Sequence, residues 1–177
     1  MKDKNNTDDT SKKHLPLFGV GPVIVYGQFF ITGMAIVLSY IFDWSFARID
    51  ILNLPLKVIG VLLIMFGFYM DLSAKMKSKL FGKVADNILI TDGIYAYVRN
   101  PVYGGMFLVC VGAVLIVNNL LLLVAPLVCW IYMTLFLIFT EEKWLVDMYG
   151  EEYKEYCRRV NRCIPLRKAY LMKNTKI

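Results

Sequence analysis

Residues 102–139 read VYGGMFLVCVGAVLIVNNLLLLVAPLVCWIYMTLFLIF, 38 residues without one charged side chain. A helix rises about 1.5 Å per residue, so a single helix of this length would extend roughly 57 Å, nearly twice the hydrocarbon core of a bilayer. Asn118 and Asn119 stand near the middle. Two adjacent amides are costly in lipid but suit a turn at its edge. The run therefore reads as a helical hairpin of two membrane spans, Val102–Val117 and Leu120–Phe139, with Pro126 expected to kink the second arm. Gly104, Gly105 and Gly112 suit tight packing within that hairpin.

Two more apolar runs lie upstream. Val20–Phe42 is long enough to cross at about 34 Å. Asp43, Arg48 and Asp50 mark a short polar loop, and Leu54–Leu72 forms the second span, with Lys57 near enough to its end to snorkel. Gly60, Gly67 and Ala74 recur every seven residues, so one face of this span admits a close helical neighbour. After the hairpin, Trp144, Leu145, Met148, Tyr149, Tyr153, Tyr156 and Val160 recur at steps of three or four. This predicts an amphipathic helix over about 141–160, broken at Gly150 and lying at the membrane surface. The fold class is all-α: a polytopic bundle of four transmembrane helices plus a C-terminal amphipathic cytoplasmic helix. The expected organisation is a polar, disordered cytoplasmic leader over 1–19 and a single membrane domain over 20–177.

The composition agrees. Apolar residues make up 58% of the 177 and charged residues 19%, and the surplus sits in the long runs that only a bilayer uses. The net charge of +6 could suit nucleic acid, but its placement favours a membrane surface. All of the 20 Lys and Arg except Arg48 and Lys57 fall in the leader, the middle loop or the tail, which this topology puts on one side. The positive-inside rule makes that side cytoplasmic, with both termini there. A three-span alternative would put the basic tail outside. The four cysteines follow no metal or redox spacing, and no disulfide is expected. The one histidine, His14, lies in the leader, so neither a metal site nor a histidine base is expected deeper in the chain.

Chemistry is expected where the middle loop and the tail meet at one membrane face. Thr91–Tyr103 runs into a span through Gly93, Arg99 and Pro101, whose ring suits the first helical position. The free N–H groups there, helped by Arg99, could bind a carboxylate. On physics alone the favoured reading is an interfacial anchor of Tyr and Arg. Glu141 and Glu142 end the last span, where two carboxylates beside hydrocarbon call for a cation or a polar cavity. The plainer reading is a solvated helix end with Glu142 paired to a lysine. Tyr149–Tyr156, followed by Arg158, Arg159, Arg162 and Pro165, could simply grip anionic headgroups.

Together these residues resemble the isoprenylcysteine carboxyl methyltransferase family and its relatives, the phospholipid methyltransferases. The likeness covers about Asn87–Pro165. It rests on Leu89-Ile90-Thr91-Asp92-Gly93-Ile94-Tyr95, Arg99-Asn100-Pro101-Val102-Tyr103, Glu141-Glu142, Gly150-Glu151-Glu152-Tyr153-Lys154-Glu155-Tyr156 and Ile164-Pro165, in the family's order. The resemblance implies an integral membrane enzyme using S-adenosylmethionine. By that analogy Asn87, Ile88, Leu89, Ile90, Tyr95, Asn100, Pro101, Val102 and Tyr103 contact the cofactor, and Glu141 closes the pocket. Arg99 would take the methionine carboxylate, and a sulfonium suits a carboxylate and tyrosine faces. Asn100 stands where the family has histidine, and Leu137 where it often has an arginine for the substrate carboxylate.

The leading expectation is therefore a methyltransferase acting on a lipophilic or lipid-borne nucleophile, with Glu141, Glu142 and Arg99 as its catalytic candidates and membrane lipids, not nucleic acid, around it. A carboxylate, an amine or a thiol all fit as acceptor. An amine would need Glu141 or Glu142 as base, and the others would need none. The expected location is the plasma (inner) membrane of a prokaryote or the endoplasmic reticulum of a eukaryote. The competing class is a non-catalytic interaction or assembly protein that keeps the fold. A transporter fits poorly, because the spans carry almost no central charge.

Overall fold

The computed structural model describes residues 20–77 and 88–165. The leader and the last twelve positions lie outside them, as does Asn87. Four apolar helices form the bundle: α1 (Gly21–Ile41), α2 (Asn53–Leu72), α3 (Pro101–Val117) and α4 (Val124–Phe136). A 3₁₀ turn, Leu120–Leu123, leads into α4, and a π-helical turn, Leu137–Glu141, joins α4 to α5 (Glu142–Arg159). Among the described residues three helical runs are long and apolar enough to cross a membrane: Gly21–Ile41, Asp50–Met76 and Leu120–Arg159. Pro101–Val117 is shorter. At about 26 Å it is at the lower limit for a crossing. It can be short because it sits at the centre of the bundle, with α1, α2 and α4 packed on it. Matching lipid thickness falls to its neighbours.

Polarity is distributed as a bilayer requires. Phe30, Leu62, Met65 and Leu127 face outward, while Gln28, Thr32 and Ser39 of α1 are buried. The seven-residue rhythm of α2 does what its spacing predicts. A Cβ on Gly60 would lie 2.6 Å from the Gly112 carbonyl oxygen, and one on Gly105 would lie 2.5 Å from that of Gly67. The backbones of α2 and α3 therefore touch at two levels. The glycines of α3 were expected to serve their own hairpin, but they face α2 instead. Gly104 faces the C-terminal segment, where a Cβ would meet the Cys163 carbonyl oxygen at 2.5 Å. A glycine stripe fixes how closely something approaches, not which helix it is.

The Asn118-Asn119 turn is where the amides pointed. Asn118 has φ 53°, the left-handed region that asparagine tolerates. Its Nδ2 donates to the Ile49 carbonyl at 2.9 Å, and Asn119 Nδ2 donates to that of Trp44 at 2.9 Å. Both loops at this end of the bundle are thereby tied together. Pro126 does not kink a helix: it occupies the first turn of α4, where an absent N–H costs little. Gly150, with φ 53° and ψ −125°, breaks α5 as its sequence predicts. The aromatic stripe beyond that break was expected to face the membrane surface. Tyr153, Tyr156 and Val160 are instead buried, packed with Leu89, Leu145 and Val146.

Candidate functional site

At the end of the bundle opposite the Asn118-Asn119 turn, two distant segments lock together. Residues 161–162 run parallel to 98–100: Arg99 N donates to the Asn161 carbonyl and Asn100 N to that of Arg162, each at 2.9 Å. Asn100 Nδ2 donates to the same Arg162 carbonyl at 3.3 Å. Tyr156 Oη donates to the Tyr95 carbonyl at 2.6 Å, fixing the 3₁₀ turn Gly93–Ala96. Gly93 begins that turn with φ 60°, which glycine adopts freely. Pro101 then opens α3, with Gly104 N donating to the Asn100 carbonyl at 2.9 Å. The Asn100 side chain makes no cap, so the amides of the first turn receive no help from it.

The paired glutamates diverge. The π turn inserts an extra residue into the helical repeat and so re-phases the faces of the run. Glu141 faces inward, and its Oε1 accepts from Tyr103 Oη at 2.5 Å across 38 positions of sequence. Tyr95 is buried beside them, within a cluster of Ala74 and Ile90 with Ile94 and Val102 against it. Its phenol is held well above the usual tyrosine range, first by burial and then by the carboxylates of Glu141 and Asp71. A carboxylate, two phenols and the end of α2 thus share one neighbourhood.

Glu142 faces the other way. It binds Arg162 bidentately, Nε to Oε1 at 2.7 Å and Nη2 to Oε2 at 2.9 Å, and Arg99 Nη1 lies 3.1 Å from Oε1. The Glu142 contact raises the Arg162 pKa. Arg99, 9% exposed, also reaches Tyr153 Oη at 3.5 Å and Cys157 Sγ, and its Nε has no acceptor. Among the described residues the partners of Glu142 are two arginines, where a lysine was expected, and its cluster ties the start of α3 to α5 and the tail.

The remaining expected contacts divide. Ile90, Asn100 and Pro101 are buried, Val102 packs on Tyr95, Leu89 packs with Tyr153 and Tyr156, and Ile88 is exposed. Leu137, at the expected arginine position, is wholly buried with Ile24, Met133 and Cys163. Asp71 had escaped sequence reasoning. It follows Gly67 by four and precedes Ala74 by three, so the small-residue face of α2 already included it. Among the described residues no group of His, Cys, Asp and Glu could hold a metal.

Fold and site define a polytopic, all-helical membrane protein with a carboxylate–phenol cluster at one end of its bundle. The sequence model described as phospholipid methyltransferase matches residues 56–152, more than half the chain, and the chain belongs to that family. It is 42% identical over 82 residues to a protein-S-isoprenylcysteine O-methyltransferase of Schizosaccharomyces pombe, covering 46% of this chain and 34% of that one. A protein of the same name from Dictyostelium discoideum is 27% identical over 171 residues, covering 92% and 67%. Methanethiol S-methyltransferase 1 of Bradyrhizobium diazoefficiens is 33% identical over 79 residues, covering 45% and 27%. The chain spans about a third of the length of the fission-yeast relative. No solved structure matches it.

Proposed function

We propose that this chain is an integral membrane methyltransferase that uses S-adenosylmethionine and methylates a lipophilic or lipid-borne acceptor at the cytoplasmic face. The observation that carries this reading is the Tyr103–Glu141 hydrogen bond, which joins the start of α3 to the end of the last span. S-adenosylmethionine, when bound, supplies a methyl group on a positively charged sulfur that leaves as a neutral thioether. The residues fit a cation: Glu141 is aimed by a phenol, and Asp71 Oδ1 is buried without a donor. Glu141, its rotamer fixed by Tyr103, would hold the positive charge. By the family resemblance Asn87–Ile90, Tyr95 and Asn100–Tyr103 would border the cofactor. Arg99, which Glu142 holds at 3.1 Å, and the uncapped amides of α3 would take its carboxylate.

The chain's own work is to orient and to exclude water, because methyl transfer needs an in-line approach and a desolvated nucleophile more than a base. A carboxylate or thiolate acceptor reacts as it stands, while an amine would pass its proton to Glu141. The names of the relatives include an oxygen and a sulfur acceptor, which supports a broad acceptor class. The one-sided distribution of Lys and Arg supports cytoplasmic termini.

Equilibrium titration of the detergent-purified chain with S-adenosylmethionine tests the reading. Glu141→Gln removes a charge-assisted contact and should weaken binding about ten- to a hundredfold. Glu152→Gln, on an exposed face of α5, should bind as wild type does. Equal weakening in both variants would point to a general surface-charge effect. A folded wild type that binds nothing would favour the second reading, a non-catalytic membrane interaction or assembly protein. The observation on that side is Leu137, buried in the core where the family often has its arginine.

A further inference from the structure

Asp71 is placed to do more than end a helix. Two residues near it in sequence touch the site: Ala74, in the π-helical turn Ser73–Lys77 that follows α2, packs with Tyr95 and Ile90, and Gly67, one turn earlier in α2, meets the backbone of Gly105, two residues beyond Tyr103. A Cβ on Gly105 would lie 3.4 Å from Asp71 N, so Asp71 sits at the first turns of α3. Its carboxylate is used on one side only. Lys75 Nζ donates to Oδ2 at 2.8 Å, while Oδ1 is buried with no partner. A carboxylate oxygen taken from water without a donor is costly, and such an atom beside a binding site calls for a ligand group. Both the Asp71 and the Glu141 carboxylates are near enough to the Tyr95 phenol to help hold its pKa up, in keeping with the packing of Ala74 on Tyr95.

We infer that Asp71 is a second ligand-binding carboxylate of this site, holding the α-ammonium group of the methionine part of the cofactor through Oδ1 while Glu141 faces the sulfonium. The inference rests on the cofactor reading above and goes beyond it by assigning a residue from the other half of the chain. Sulfonium and ammonium are separated by three carbon atoms, which leaves room for a separate carboxylate at each. Lys75 neutralises the outer oxygen and leaves the inner one for the ligand.

The test compares three ligands on the full chain in detergent. S-adenosylmethionine carries both cations, S-adenosylhomocysteine keeps only the ammonium, and methylthioadenosine has neither. Asp71→Asn should weaken the first two about ten- to a hundredfold and leave methylthioadenosine unchanged. Glu141→Gln should weaken S-adenosylmethionine more than S-adenosylhomocysteine. If Asp71→Asn does not fold, the wild type decides: an S-adenosylhomocysteine analogue with hydrogen in place of its amino group keeps the carboxylate and must then bind at least about tenfold more weakly than S-adenosylhomocysteine, equal binding of the two overturning the role. Unchanged binding of S-adenosylhomocysteine by a folded Asp71→Asn overturns the role, and so does equal weakening of methylthioadenosine. In those cases the wild type still binds S-adenosylmethionine and the cofactor reading stands. A wild type that binds none of the three overturns both.

Discussion

Replacing Glu142 by Gln removes the charge that holds two arginines while keeping the side chain's shape. Glu142 is 15% exposed and Arg99 9%, so the pair is largely withdrawn from water. Arg99 would keep only Tyr153 and Cys157, neither of them an anion in the folded chain, and its Nε already lacks an acceptor. Breaking a buried pair from one side costs about 3–5 kcal/mol, because the other charge stays buried and unpaired. The remaining exposure places this site at the low end, about 3 kcal/mol. For a chain of this size that lowers the unfolding midpoint by roughly 6–12 °C. Arg162 is 28% exposed. Arg162→Met should therefore cost about 1 kcal/mol, since its guanidinium is better solvated. Arg99→Met should also cost less than Glu142→Gln, because Glu142 keeps Arg162. The assay is thermal unfolding in detergent with a thiol-reactive fluorophore, which reads exposure of the buried Cys110, Cys129 and Cys163. A Glu142→Gln variant that melts with wild type, or an Arg99→Met variant that is the more damaged, would refute this assignment.

Gly112→Ala would put a methyl 2.5 Å from the Gly60 carbonyl oxygen and 2.7 Å from Ile64 Cγ1. The α2 backbone cannot yield locally, so the variant should lose about 1–3 kcal/mol. Gly33→Ala meets nothing within 4 Å and should melt as wild type does. Burial pushes the Cys163 thiol up to about 12, so it should resist iodoacetamide at pH 8 until the chain unfolds. Its raised pKa carries a definite sign. Below the unfolded value near 8.5 both states are protonated, and above it only the unfolded chain ionises. Its contribution to stability should therefore fall as pH rises from about 8.5 towards 12. A Cys163→Ser variant that keeps the full alkaline loss of stability would contradict this.

The parts of this structure that were readable from sequence are those governed by solvent. Lipid requires long apolar runs, and two amides inside one such run forced the hairpin that Asn118 and Asn119 make. The unreadable parts turn on pairing between segments that no local pattern connects. Gly105 and Gly112 announce a close neighbour, yet nothing in their spacing says whether it is α2 or α4. Tyr153 and Tyr156 read as membrane-facing because the 88–98 segment that covers them has no periodic signature.

The paired glutamates show the same limit at the site itself. Adjacent residues on a regular helix point about 100° apart, and sequence cannot say which partner each will meet. A π turn, which no residue type announces, sends Glu141 to Tyr103 and Glu142 to Arg99 and Arg162. One glutamate is thereby left facing the candidate ligand while the next holds the framework. The two variants should accordingly separate: Glu141→Gln acts on binding more than on melting, and Glu142→Gln acts on melting first. If both moved the melting midpoint equally and neither changed affinity at a temperature where the chain is folded, the division between site and framework would be wrong.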